Sequence, residues 1–227
     1  PSKLTLMRTL YHLPLSPFSR KVRLTLGEKK LAFELRLENV WQRRNDFLAL
    51  NPTGKVPVLI DEGAVIADST AICEYLEDAY PTPHLIGKTP VGRAEARRLA
   101  IWFDTKFSHE VTANIAYEKL MKRMLGKGEP DSERIRAGKD NIHYHLEYIE
   151  FLTERRNWLA GEDLSCADLA AVAHLSVIDY LGDVPWGEHV GAKNWYARLK
   201  SRASFQPLLT DHVAGVAPPK TYADLDF

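Results

Sequence analysis

Ser16-Pro17-Phe18-Ser19, followed by Arg20-Lys21-Val22-Arg23, marks a strand-to-helix corner. Ahead of it, Met7-Arg8-Thr9-Leu10-Tyr11-His12-Leu13 reads as a short strand. Behind it, Val22, Leu24 and Leu26 with the charged Arg23, Glu28 and Lys29 suit a helix with one buried side. The first turn of such a helix exposes unpaired N–H groups and a positive dipole end suited to a thiolate or carboxylate. Ser16, just before the helix start, therefore has two readings. It is a helix cap, worth about 1 kcal/mol, or a hydroxyl that donates to a bound sulfur and favours thiolate over thiol.

The 227 residues suit one large domain or two small ones, with enough apolar side chains to build a core without metals or disulfides. Thirty basic and thirty acidic residues cancel, so nothing in the charge points to nucleic acid or an anionic membrane. Cys73 and Cys166 are too few and too far apart for a zinc or Cys-x-x-Cys pattern, which reads as inert thiols in a reducing cytoplasm. No apolar run reaches the roughly 18 residues of a spanning helix, so membrane insertion is not expected. Residues 1–6 read as an extension, natural or from expression, ahead of the first strand.

The first part of the chain alternates strands and helices. Phe33-Glu34-Leu35-Arg36-Leu37 has the period-two pattern of a half-buried strand. A short irregular helix over 43–50 leads to Pro57, and Val58-Leu59-Ile60 and Ala64-Val65-Ile66 flank the tight turn Asp61-Glu62-Gly63. Asp68 or Ser69 caps a helix running to Tyr80, and Pro81-Thr82-Pro83 stops it. From Val91 onward the pattern is helical, over 91–125, 131–155, 165–180 and 193–201. Ser165 as N-cap, Asp168 three positions on and Leu164 before them form a capping box with a possible staple. Trp195, Arg198, Leu199 and Phe205 read as core packed against that box. His143 and His145, two apart on a helix, point to nearly opposite sides and make no metal pair. Arg93, Glu95, Arg97 and Arg98, and likewise Lys119, Lys122 and Arg123, read as solvated helix faces.

The corner resembles the Cys-Pro-x-Cys turn of thioredoxin-fold redox enzymes with both sulfurs replaced by hydroxyls, which removes disulfide chemistry and leaves a pocket. Asn51-Pro52-Thr53-Gly54-Lys55-Val56-Pro57-Val58-Leu59 and Asp68-Ser69-Thr70-Ala71-Ile72 follow in the order and spacing that resemble the glutathione S-transferase superfamily. The resemblance covers 7–213 and implies an α/β plus all-α glutathione S-transferase fold. A thioredoxin-like domain would span 7–83, a linker 84–90, a helical domain 91–213 and a tail 214–227. The glutathione-binding candidates it implies are Ser16, Lys55, Val56, Asp68 and Ser69. A cis Val56-Pro57 bond would present the Val56 backbone to a peptide ligand, and Asp68-Ser69 would meet its carboxylate and ammonium. Family members more often carry Glu-Ser there. Asp68 is one methylene short, so glutathione binding is expected to be weak or absent, and no cofactor is required.

The scaffold also serves isomerases, dehalogenases and partner-binding proteins. Trp41-Gln42-Arg43-Arg44-Asn45 places an aromatic beside two guanidiniums in a surface segment, a composition enriched at protein interfaces. Val216-Ala217-Pro218-Pro219-Lys220-Thr221-Tyr222-Ala223-Asp224-Leu225-Asp226-Phe227 leaves the helical domain as a Pro-initiated tail. It is expected to project, with Tyr222, Leu225 and Phe227 as anchors and Asp224 and Asp226 as charge. Corner, Trp41 segment and tail together resemble the members of the superfamily that act in bacterial division by binding the tubulin homologue FtsZ. That implies a dimeric cytoplasmic adaptor recruited to the division site. Trp41, Arg43 and Arg44 would contact FtsZ, and Tyr222, Leu225, Asp226 and Phe227 a second division or cell-wall synthesis partner. The alternative is an active glutathione S-transferase that conjugates or isomerises a small electrophile, with Ser16 activating the thiol.

Overall fold

The computed structural model describes residues 7–227, so the expected extension over 1–6 lies outside the described residues. Strand β1 (Arg8–His12) pairs parallel with β2 (Phe33–Leu37) and antiparallel with β3 (Val58–Asp61), which pairs antiparallel with β4 (Ala64–Ala67). The sheet order is β2-β1-β3-β4. Helices α1 (Pro17–Glu28) and α3 (Ser69–Ala79) cover one face, burying Leu10, Val22, Leu26, Leu59, Ile72 and Leu76. On the other face α2 (Asn45–Leu50) sets Phe47 against Tyr11 and Val58.

The connection out of this layer is held by one ion pair. Buried Lys29 donates to Glu77 Oε2 and to the carbonyls of Tyr80 and Pro83, each at 2.8 Å. Glu77 accepts in turn from the Leu85 amide. A charge buried this completely persists because every donor finds an acceptor.

Helix α4 (Pro90–Ile101) continues without a break through a π-helical stretch (Trp102–Thr112), α5 (Ala113–Ala116), a second π-helical stretch (Tyr117–Met121) and α6 (Lys122–Met124). Phe103, Phe107, Val111 and Ile115 recur every fourth residue and are all fully buried. A strict four-residue repeat drifts around an α-helix, and π-type widening keeps it on one face. Helices α7 (Ser132–Thr153), α8 (Cys166–Tyr180) and α9 (Val190–Lys200) complete the helical core, with α8 buried along almost its entire length. The capping box is formed: Ser165 Oγ accepts from the Ala167 amide, and Asp168 accepts from the Ser165 amide at 3.1 Å. Trp195 and Phe205 are buried as expected, but Arg198 is not core. It is exposed, stacks on Trp158 at 4.0 Å and donates to the Asn157 carbonyl.

The tail corrects a larger expectation. It does not project but folds back along the subunit. Tyr222 is fully buried, with its hydroxyl donating to the Leu208 carbonyl and accepting from Arg20. Lys200 donates to the Thr221 carbonyl, and Tyr180 Oη donates to the Val216 carbonyl at 2.7 Å. Phe227 lies against Trp186 and Tyr196, with Lys200 Nζ 3.9 Å above its ring. Pro218 and Pro219 follow a non-helical stretch and lead into a 3₁₀ turn (Lys220–Tyr222) without directing the chain outward. Tyr222 and Phe227 are side chains of the subunit's own packing rather than free anchors. Beyond Tyr222, the residues Ala223, Asp224, Leu225 and Asp226 face solvent.

Candidate functional site

The sheet and the starts of α1 and α3 converge on a cavity of about 400 Å³ lined by Phe18, Asn51, Thr53, Lys55, Val56, Pro57, Ala67, Asp68 and Ser69. Four of the five candidates for glutathione contact, Lys55, Val56, Asp68 and Ser69, thus meet at one cavity. Ser16 is not among its lining residues. Its Oγ accepts the Ser19 amide at 3.2 Å as the N-cap of α1. That contact uses an oxygen lone pair and leaves the hydroxyl proton available to a neighbour.

The loop before β3 is shaped by Asn51. Its Nδ2 donates to the Lys55 carbonyl at 2.8 Å and its Oδ1 accepts from the Thr53 amide and hydroxyl. Val56-Pro57 is cis. Neither the amide nor the carbonyl of Val56 makes a hydrogen bond among the described residues, so both are free to pair with an extended ligand. Asp68 sits at φ +78°, a left-handed conformation that is costly for a residue with a Cβ. Its Oδ1 takes the Thr70 and Ala71 amides at 2.8 and 3.1 Å. The carboxylate therefore occupies two of the α3 donors that an anionic ligand would otherwise meet. Ser69 itself is buried at the cavity wall.

Behind the cavity runs a buried polar seam absent from the sequence reading. Lys21 on α1 is paired with Asp104, and His174 on α8 lies 3.4 Å from the same carboxylate while bonding Thr112 Oγ1 at 2.9 Å. Phe18 packs edge-on against His174, joining cavity to seam. Burial opposes the charge on Lys21, but Cys73 and Asp104 outweigh it and hold the ammonium above its ordinary value. Burial pushes His174 down, against the pull of Asp104. His12 is pushed down to about 4, first by burial and then by Arg23. Both cysteines are free, and burial pushes their thiols up, Cys166 to about 12, so neither is an activated nucleophile.

The second candidate surface lies on the other side of the loop. Trp41 is half-buried in a 3₁₀ turn (Val40–Gln42), with Arg43 and Arg44 exposed after it. Arg44 forks onto buried Glu38 at 2.7 and 3.3 Å. Arg43 makes no ion pair among the described residues, and its guanidinium packs against Gly54, where a Cβ would fall 3.0 Å from Nη1. Leu225 and Asp226 are exposed at the far end of the chain, away from the residues that line the cavity.

A four-stranded mixed sheet with this corner, this cis-proline loop and an all-helical second half places the chain in the glutathione S-transferase superfamily, to which it belongs. Residues 10–84 match the family described as glutathione S-transferase, N-terminal domain. A crystal structure titled as a glutathione S-transferase from Rhodospirillum rubrum F11 is 55% identical, with a TM-score of 0.96, over 97% of this chain and 100% of that one. Among curated proteins, the chain is 49% identical over 224 residues to FtsZ-localized protein A of Caulobacter vibrioides (strain NA1000 / CB15N), covering 97% of this chain and 98% of that protein. The solved structure of FzlA from C. crescentus gives a TM-score of 0.95 at 49% identity, over 98% of this chain and 100% of that one.

Proposed function

We propose that this chain is an adaptor of glutathione transferase fold that binds FtsZ filaments and links them to the division and cell-wall machinery, without needing glutathione chemistry. The observation that carries the reading is the 49% identity, across almost the whole of both chains, to a protein named for its localisation with FtsZ. The site supports it: Asp68 turns its carboxylate onto its own helix. Trp41 with the unpaired Arg43 supplies the aromatic and guanidinium pairing that dominates many interfaces. The adaptor acts in the cytoplasm at the division site. Among the described residues no helix is long and apolar enough to cross a membrane.

The working unit is a homodimer. Tyr144, Tyr148 and Phe151 form one face of α7, Trp102 packs beside them, and Tyr144, Phe151 and Ile101 remain exposed. Two copies would double the filament-binding faces and gain avidity. Light scattering should return about twice the 25.7 kDa of the chain. Asp224, Leu225 and Asp226 remain displayed for a second partner between the seated Tyr222 and Phe227.

The alternative, an active transferase with Ser16 activating the thiol, is favoured by one feature, the open Val56 backbone in a cavity of peptide size. Co-sedimentation with polymerised FtsZ tests the adaptor reading directly. The chain should pellet with filaments in the absence of glutathione, and failure to pellet at any ratio would remove the reading.

A further inference from the structure

Arg20 joins the corner at the start of α1 to the last residues of the chain. It closes the first turn of α1 and is fully buried. Its Nε donates to the Pro14 carbonyl at 2.7 Å, fixing the turn from which the corner enters the helix. Nη1 donates to Ser176 Oγ at 2.8 Å and Tyr222 Oη at 3.0 Å, and Nη2 to Asp211 Oδ2 at 3.0 Å. A guanidinium so buried is tolerable only while its acceptors stay in place. Two of those acceptors belong to the last seventeen residues, and Arg23 shares Asp211 at 2.7 Å. Tyr180 Oη also donates to the Val216 carbonyl and accepts the Val213 amide, and the Tyr222 hydroxyl donates to the Leu208 carbonyl. The contacts of the end of the tail, Lys200 to the Thr221 carbonyl and Phe227 over Trp186 and Tyr196, lie on α9 and the turn before it and do not involve Arg20.

We propose that residues 211–227 form a strap whose seating is transmitted to the corner through Arg20, so that lifting Tyr222 loosens residues 13–20 and the cavity wall carrying Phe18. Two arrangements exist for the guanidinium. With the strap seated, each of its three nitrogens meets an acceptor inside the protein. With Tyr222 withdrawn, Nη1 keeps only Ser176, and the cheapest way to solvate the freed donor is to let the adjoining turn open toward water. A partner that grips the exposed Asp224-Leu225-Asp226 segment would thus change the candidate cavity without contacting it. By reciprocity, a ligand that rigidifies the corner would hold the strap down. The coupling stands on this geometry alone and holds whether the protein is adaptor or enzyme.

Hydrogen exchange on the full chain tests it. In the wild type, amides of 13–20 and of 221–223 should share one opening step, with the same dependence on urea. Independent opening would overturn the proposal. Tyr222→Phe keeps the ring against Tyr180 and removes only the hydroxyl. It should speed exchange over 13–20 by about tenfold, while exchange along α7 stays unchanged. Phe227→Ala frees the end of the tail without touching Arg20 and should leave 13–20 within about twofold of wild type. Equal loosening of the corner by both variants, or no loosening by Tyr222→Phe, would show that Arg20 transmits nothing.

Discussion

Trp195 Nε1 donates to Asp168 Oδ1 at 3.0 Å, in the interior of the helical half. The same carboxylate accepts the Leu159 and Ser165 amides at 3.0 and 3.1 Å, so one buried side chain ties together the start of α8, the loop before it and α9. Asp168→Ala would leave three buried N–H donors unmet. It should cost about 3–5 kcal/mol, read as a fall in the urea midpoint at unchanged slope. A loss below 1 kcal/mol would mean that water replaces the carboxylate.

What the sequence disclosed follows the range of the interactions. The corner, the Asn51 loop, the Asp68 cap and the Ser165–Asp168 box depend on residues a few positions apart, and each can be read as a local pattern. Arg20 and Tyr222 are 202 positions apart. The clue was a charge on the buried side of α1, but nothing local said which end of the chain would meet it. The tail misled for the same reason, since its prolines exclude a helix without specifying what lies beside the next aromatic. Lys21, Asp104 and His174 come from three helices whose packing alone brings them together.

Removal of Thr221–Phe227 should destabilise the protein rather than leave it intact. Tyr222 and the packing of Phe227 are lost, and Arg20 and Lys200 each lose an acceptor. A fall in Tm of about 5 °C or more is expected in scanning calorimetry. An unchanged Tm would return the tail to the role of a free arm.

Stability should decline as pH falls from 6.5 toward 4. His12 takes up a proton at its ordinary 6.5 when unfolded but only near 4 when folded. Between those values the unfolded chain binds more protons, so the stabilisation is full above pH 6.5 and lost on the way down. The shift corresponds to roughly 3 kcal/mol. His145 and His174, lowered first by burial, act in the same direction. Urea unfolding at pH 7.5 and 5 should show the decline, and His12→Gln should reduce it. Equal stability at the two pH values would contradict the account.

Glutathione should bind weakly or not at all, because Asp68 already holds the Thr70 and Ala71 amides. Calorimetry with millimolar glutathione should give no saturable heat, and a generic aryl halide should show no turnover. Saturable binding with turnover that is lost in Ser16→Ala would favour the transferase reading instead.

Pelleting of the Trp41→Ala variant with FtsZ filaments tests the adaptor claim most directly. Trp41 is half-exposed beside the unpaired Arg43, and loss of such an anchor should cost about 2 kcal/mol, a roughly thirtyfold weaker Kd. The account predicts that the variant, still folded and of unchanged oligomeric state, stays in the supernatant at concentrations where the wild type pellets. Failure of the wild type to pellet would contradict the adaptor claim, and a variant that pellets like the wild type would contradict the Trp41 contact.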